Sequence, residues 1–275
     1  MISGGSGLMD TIFHYTAQPA TYGLLQSEFW RVVLLDSAYH CYELNADGTR
    51  RLVRLADGSY LPETDAPQPD AVVEWLANVA RIGDANDKRG LVLMTHHQPL
   101  SSWQQASYGG TLRQLERLLG AQGRQVIWFF GHEHRLAIYK ETTLNQSTFQ
   151  IFPRMIGNGG FADYEVSESP DSLSELIAFD GRVYQNISND AKLIPHVPDS
   201  SPIGFNGYAS LSLVGPELRV QYKSVQCVDG DCERGISAVN ATTVLSETFL
   251  VSLVSGEISN TIEYIGSELT VPARP

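Results

Sequence analysis

The chain of 275 residues reads as an α/β protein: an open sheet covered by helices in its first half, with a mainly antiparallel β half packed against it. Three observations predict this class. Short continuous apolar runs, RVVLL at 31–35, LVLMT at 91–95 and QVIWFF at 125–130, have the form of strands buried on both faces. Between them lie segments whose apolar residues recur at helical spacing. Beyond His134 the rhythm changes to short alternating runs divided by glycine, proline and aspartate turns, with no helical stretch.

The glycine- and serine-rich start predicts a loop that runs into the first strand, 31–35, without an opening helix or hairpin. Asp36 and Ser37 follow that strand. The turn-rich segment 41–65 carries two Asp-Gly pairs, Asp47 with Gly48 and Asp57 with Gly58, and is expected to be a small surface β excursion. From Asp70, the residues Val72, Val73, Trp75, Leu76, Val79, Ala80 and Ile82 mark a helix face, with Pro69 tolerated at its start and Gly83 placed to stop it. The strand 91–95 delivers His96 and His97, followed by Gln98, Pro99 and a polar loop through Gly110. A second helix, 111–119, aligns Leu112, Leu115 and Leu119 and stops at Gly120. The strand 125–130 then delivers Gly-His-Glu-His at 131–134. LAIY, FQIF, ELIAF, YASLSLV, ELRVQY, TFLVSLV and TIEYI complete the β half. No linker or repeat interrupts the chain, so the expectation is one domain, 1–275, with an α/β part at 1–135 and a mainly β part at 136–275.

Composition narrows the function classes. Acidic residues number 31 against 19 basic, a formal net charge of −12, which argues against non-specific attraction to a nucleic-acid backbone or an anionic membrane surface. An apolar content of 43% supplies a core and excludes the disordered class. Cys41, Cys227 and Cys232 make no disulfide framework. The pair Cys227 and Cys232 is open to a local bridge, with free thiols the expectation. No apolar run approaches the roughly 18 residues of a spanning helix, so the chain is expected to be soluble and cytoplasmic by default. Sequons at Asn145, Asn186 and Asn240 are too weak a signal to imply secretion.

The chemistry concentrates in histidine. Of seven histidines, His96 and His97 follow one buried strand, His132 and His134 follow the next, and His14, His40 and His196 are isolated. Neutral imidazoles delivered from neighbouring strand ends can converge on a divalent cation. The plainer alternative makes His97, or one histidine of the 131–134 turn, a hydrogen-bonded boundary residue.

VLMTHHQPL and FFGHEH resemble the last two signature motifs of the calcineurin-like metallophosphoesterases, the family that includes purple acid phosphatases and many phosphodiesterases. LLDS at 34–37, the Trp-Leu of the first helix, IGNGG at 156–160 and GFNGYASLSL at 204–213 resemble further family landmarks in order, so the likeness spans the chain. It implies a four-layer α/β/β/α sandwich of two packed mixed sheets. It also implies two divalent transition-metal ions, Mn, Fe or Zn, at the strand ends, and hydrolysis of a phosphate ester carried by a small molecule or a phosphoprotein. On this likeness His96 and His132 are ligands of one metal and His134 of the other, with His97 the alternative to His96. Trp103, Tyr108 and Arg113 are candidate substrate-loop residues, and the IGNGG glycines are expected to form a structural turn.

The family's earlier motifs, Asp-x-His, GDxxD and GNHD or GNHE, are expected to be absent from the chain, and the segment 1–7 resembles the stretch that follows GNHD. No bridging aspartate or general acid is therefore assigned. The chain is expected to lack the first β-α units of a parent longer by roughly 80–150 residues, and to be impaired in catalysis. Loss of strands beside LLDS and LVLMT is expected to bare a sheet edge and promote self-association. The alternatives are a non-catalytic binding or structural sandwich, or a single-metal hydrolase helped by Asp36, Asp84 or Glu133.

Overall fold

The computed structural model describes residues 20–37, 42–44, 50–52, 67–103, 109–120, 123–143, 150–159, 170, 173–185, 202–227 and 239–272. The larger sheet is built from β1 (Gly23–Gln26), β2 (Trp30–Leu34), β5 (Gly90–Thr95), β6 (Gln125–Phe130), β9 (Gln150–Ile156), β7 (Leu136–Tyr139) and β10 (Leu176–Phe179), in that spatial order, with β8 (Thr142–Thr143) also paired to β9. β2, β5, β6 and β9 run parallel, and the other pairings are antiparallel. The smaller sheet is β13 (Asn206–Val214), β14 (Glu217–Cys227), β15 (Val239–Val251) and β16 (Ile258–Ile265) in sequence order. All its pairings are antiparallel, where a mixed sheet was expected.

Alternation along the apolar strands creates two cores, because successive side chains leave a strand on opposite faces. Leu91, Leu93, Val126, Trp128 and Phe130 pack with Val72 and Leu76 of helix α1 (Asp70–Asn78) and with Leu112, Leu115 and Leu119 of helix α2 (Gly109–Leu119). Val92, Ile127 and Phe129 face the other way, onto Leu218, Val220, Tyr222, Leu245 and Phe249 of the second sheet. The order of layers is helices, mixed sheet, antiparallel sheet. On the outer face of the second sheet Tyr208, Val214, Leu250 and Tyr264 are exposed, and no helix covers it among the described residues. No described helix is long and apolar enough to cross a membrane.

Four details depart from the sequence reading. An opening hairpin does exist: β1 pairs with β2 across a turn in which the Ser27 hydroxyl accepts the Phe29 and Trp30 N–H groups. β1 therefore occupies the edge beside LLDS, and β5 lies between β2 and β6, so neither strand expected to be bared is bare. The first helix ends at Asn78, ahead of Gly83. Arg31 donates to the Ala80 and Arg81 carbonyls and Arg124 to that of Ile82, so guanidinium groups satisfy the chain after the helix, and Arg81 turns left-handed with φ 49°. Finally, β7 to β10 of the mainly β half belong to the larger sheet, and the second sheet starts only at Asn206.

Of the β excursion, a two-stranded ladder of β3 (Tyr42–Leu44) and β4 (Arg50–Leu52) is described, and both Asp-Gly pairs lie outside the described residues. A like ladder joins β11 (Val183–Gln185) and β12 (Pro202–Gly204).

The two sheets are joined by a buried ion pair. Arg154 of β9 and Glu247 of β15 are 0% and 1% exposed, with Nε to Oε1 at 2.6 Å and Nη2 to Oε2 at 2.7 Å. Arg154 Nη1 donates to the carbonyls of Tyr139 and Pro153. Glu247 also accepts from the Tyr222 hydroxyl at 2.5 Å and Asn260 Nδ2 at 2.8 Å. Burial disfavours charge on Arg154, but Glu247 beside it raises the guanidinium above its ordinary value. Glu247→Ala leaves that cation stranded and is expected to cost about 3–5 kcal/mol in urea unfolding. Arg154→Met combined with Glu247→Gln should cost less than the sum of the two single changes.

Candidate metal centre

β5 and β6 are adjacent and parallel with Thr95 opposite Phe130, so the residues that follow them come out side by side. The Gly131 N–H donates to the His96 carbonyl at 2.9 Å, locking the two strand-end loops together. His132 adopts φ 68°, a left-handed conformation that a non-glycine residue holds at a cost of order 1–3 kcal/mol. The turn continues through Glu133 N–H to the Gly131 carbonyl and Arg135 N–H to the Glu133 carbonyl. Gly157, just past β9, lies so close beneath this turn that a Cβ would collide with the Glu133 carbonyl oxygen, which explains the glycine.

This framework gathers His96, His97 and His132, whose ligand nitrogens all lie within 4.8 Å of one another. His96 Nε2 and His132 Nδ1 are 3.2 Å apart. Two nitrogens bound tetrahedrally at the usual zinc distance of about 2.05 Å stand roughly 3.3 Å apart, so this pair spans one edge of a metal tetrahedron. His97 is anchored to the end of the first long strand: its backbone N–H donates to the Ser37 hydroxyl at 2.9 Å, and Nδ1 meets the Ser37 carbonyl at 2.8 Å. That contact makes Nδ1 the protonated nitrogen and leaves Nε2 as the ligand atom. Burial, then the neighbouring His96 and His132, push the His97 imidazolium down to about 3. His96 is lowered by burial and by His134, against an opposing pull from Asp36. Two rings are thus biased toward the neutral form that binds metal.

His97 therefore joins His96 and His132, where the resemblance favoured His96 over it. His134 lies near enough to oppose a charge on His96 but is outside the three-histidine group. Asp36 faces the site from the end of β2, close enough to favour a charged His96. Glu133 is 5% exposed and accepts Gln98 Nε2 at 3.1 Å, so it braces the two loops from below. Trp103 is packed on the helix-side core, edge-on to Phe179 and beneath the Arg135 guanidinium at 4.8 Å. Arg113 is exposed on α2. Tyr108, His14, His40 and His196 lie outside the described residues, as do Cys41 and Cys232.

Asp84 is far from this centre. With Gly83 and Asp87 it makes the single literal GDxxD of the sequence, which corrects the expectation that none is present, but the segment precedes β5, whose length of roughly 20 Å separates it from the histidines. Asp84 binds Arg81, and Asp87 binds Arg31 and Arg89. The IGNGG segment is a structural junction through Asn158, whose carbonyl accepts Gly207 N–H at 2.8 Å and whose Nδ2 donates to the Phe205 carbonyl. Ser37, Gln98 and the left-handed His132 were not anticipated. The Asp-Ser that ends the first apolar run was the available signal for Ser37.

No protein-family model matches the chain, and no curated protein matches its sequence. The donor set itself fits one divalent ion held by three imidazoles with positions left for water or substrate. Among the described residues the group contains no carboxylate that would bridge and neutralise a second cation.

Between its folded value of about 3 and the ordinary 6.5, His97 stays neutral while the unfolded chain takes up a proton. Its contribution to stability is therefore complete above about pH 6.5 and is drained as pH falls toward 3. In metal-free protein, urea unfolding should show His97→Gln losing less stability than the parent between about pH 7 and pH 4.5. Equal losses would contradict the burial of a neutral ring.

Proposed function

We propose that this chain is a calcineurin-like metallophosphoesterase, whose site holds a divalent transition metal on His96, His97 and His132 and acts on a phosphate ester of a small molecule or phosphoprotein. The observation that carries this reading is the convergence of the three ligand nitrogens at the carboxyl ends of adjacent parallel strands. The layering of helices, mixed sheet and second sheet supplies three layers of the family's four-layer α/β/β/α sandwich. When bound, a metal of the Zn, Mn or Fe type supplies Lewis-acid polarisation of a phosphoryl oxygen and a water of lowered pKa. The chain's own part is to hold three imidazoles at fixed spacing, with His96 and His97 biased toward the neutral form. Ser37 sets the His97 tautomer, the Gln98–Glu133 bond ties the HHQP loop to the GHEH turn, and Asp36 places a carboxylate beside His96.

Titration of metal-free protein with Zn²⁺, Mn²⁺ or Co²⁺ should show one tight ion per chain, and His132→Ala should abolish it. Ser37→Ala should weaken binding by about tenfold while leaving the fold intact, since it loosens a group that orients a ligand. Loaded protein should release nitrophenol from p-nitrophenyl phosphate or its bis ester. Tight metal binding without any turnover would favour the second reading, a metal-holding binding protein, which rests on a histidine group with no carboxylate in it among the described residues. Failure to bind any of the three ions would overturn both.

A further inference from the structure

The opposite end of the same strands carries a different chemistry. A cavity of about 700 Å³ opens there between the two sheets, bounded by Lys88, Arg124 and Gln125 on the first sheet's side and by Ser252, Gly256 and Ser259 on the second's. Its volume lies in the range of small-molecule sites.

The charge balance around it is unusual for a chain of net −12. Its wall carries Lys88 and Arg124 against Asp87 and Glu257, and Asp87 is taken up by Arg31 and Arg89, which lie outside the lining, so two lining cations stand against one uncommitted carboxylate. Asp87 is already committed, holding Arg31 at 2.9 Å and Arg89 at 2.8 Å. Burial works against its charge, but Arg89 keeps its carboxyl down at about 2. Arg124 is 9% exposed and donates to the carbonyls of Ile82 and Arg89, with no carboxylate bonded to it. Two of its five N–H groups are used. Burial, and then Arg31 and Arg89 against the pull of Asp87, lower it. Lys88 makes no ion pair with any described residue, and its stem lies against Gly256 at a turn with φ 81°.

We infer that this cavity is a binding site for a small organic or inorganic anion, whose carboxylate or phosphate is held by Lys88 and Arg124. The serine hydroxyls at 252 and 259 supply further donors at the rim. A buried cation that lacks a carboxylate is costly, and an anion bound beside it offsets that cost. The site is independent of the metal centre, from which it is separated by the length of β5 and β6.

The test uses metal-free protein with inorganic phosphate and citrate in separate calorimetric titrations, each repeated on His132→Ala. Binding of either probe that survives His132→Ala, weakens about tenfold or more in Lys88→Glu and tightens in Glu257→Gln supports the inference, since each change alters one charge facing the anion. Preference between the probes tells a phosphate ligand from a carboxylate one. Lys88 is half-buried without hydrogen bonds, so Lys88→Glu is expected to fold, whereas Arg124→Gln removes two caps and serves only as a supporting variant. Absence of binding at millimolar probe, or binding that Lys88→Glu leaves unchanged, would refute the site. Because no step uses the histidines, that failure is distinct from failure of the phosphoesterase reading.

Discussion

Arg154 and Glu247 set the relation on which the other parts depend. A fully buried bidentate pair with every polar neighbour in place tolerates little sliding, since a shift of one residue along β9 or β15 would turn a charge to the wrong face. The pair therefore holds β15 in register over β9. β9 in turn runs out at Ile156 into Gly157, whose close approach supports the GHEH turn from beneath. An ionic contact deep between the sheets is in this way connected, through one strand and one glycine, to the placement of His132.

The parallel core of the first sheet gives its two ends opposite characters. At the carboxyl ends, β5 and β6 release loops that are bonded to each other and present neutral imidazoles. At the amino ends, the connection from α1 and the start of β6 bring together arginines that cap a helix and share one aspartate. Both ends rely on the same structural economy, because a charged or polar side chain that satisfies backbone groups also becomes available to a ligand. The difference lies in the groups presented, imidazoles at one end and the cations Lys88 and Arg124 at the other.

Most of the secondary structure was legible because buried strands and amphipathic helices carry short-range signatures. QVIWFF is a strand from Gln125 to Phe130, and Leu112, Leu115 and Leu119 are the buried stripe of α2 as expected. The boundaries that were misjudged depend on distant partners. The first helix ends early where Arg31 and Arg124, far from it in sequence, take the carbonyls of the chain that follows it. β1 was read as loop because GLLQ is short and half exposed. β9, read only as one of several β runs, lies beside β6 with Arg154 reaching Glu247 of the other sheet, and no periodicity encodes that. At the site, histidines after adjacent strands were legible as a cluster, whereas the gathering of His96, His97 and His132, with His97 anchored to Ser37 sixty residues away, was not.

The sequence by itself determined the class of fold, the strands that bear the histidines, and the acidic character of the chain, because these rest on local periodicity and composition. Tertiary structure alone decided which three imidazoles meet, that the sequence's GDxxD lies at the other end of the sheet from them, and that a cation-rich cavity opens between the sheets. Those are matters of strand order and of side-chain partners separated by tens of residues, where hydrophobic pattern carries no information and only the packed arrangement brings the charges together.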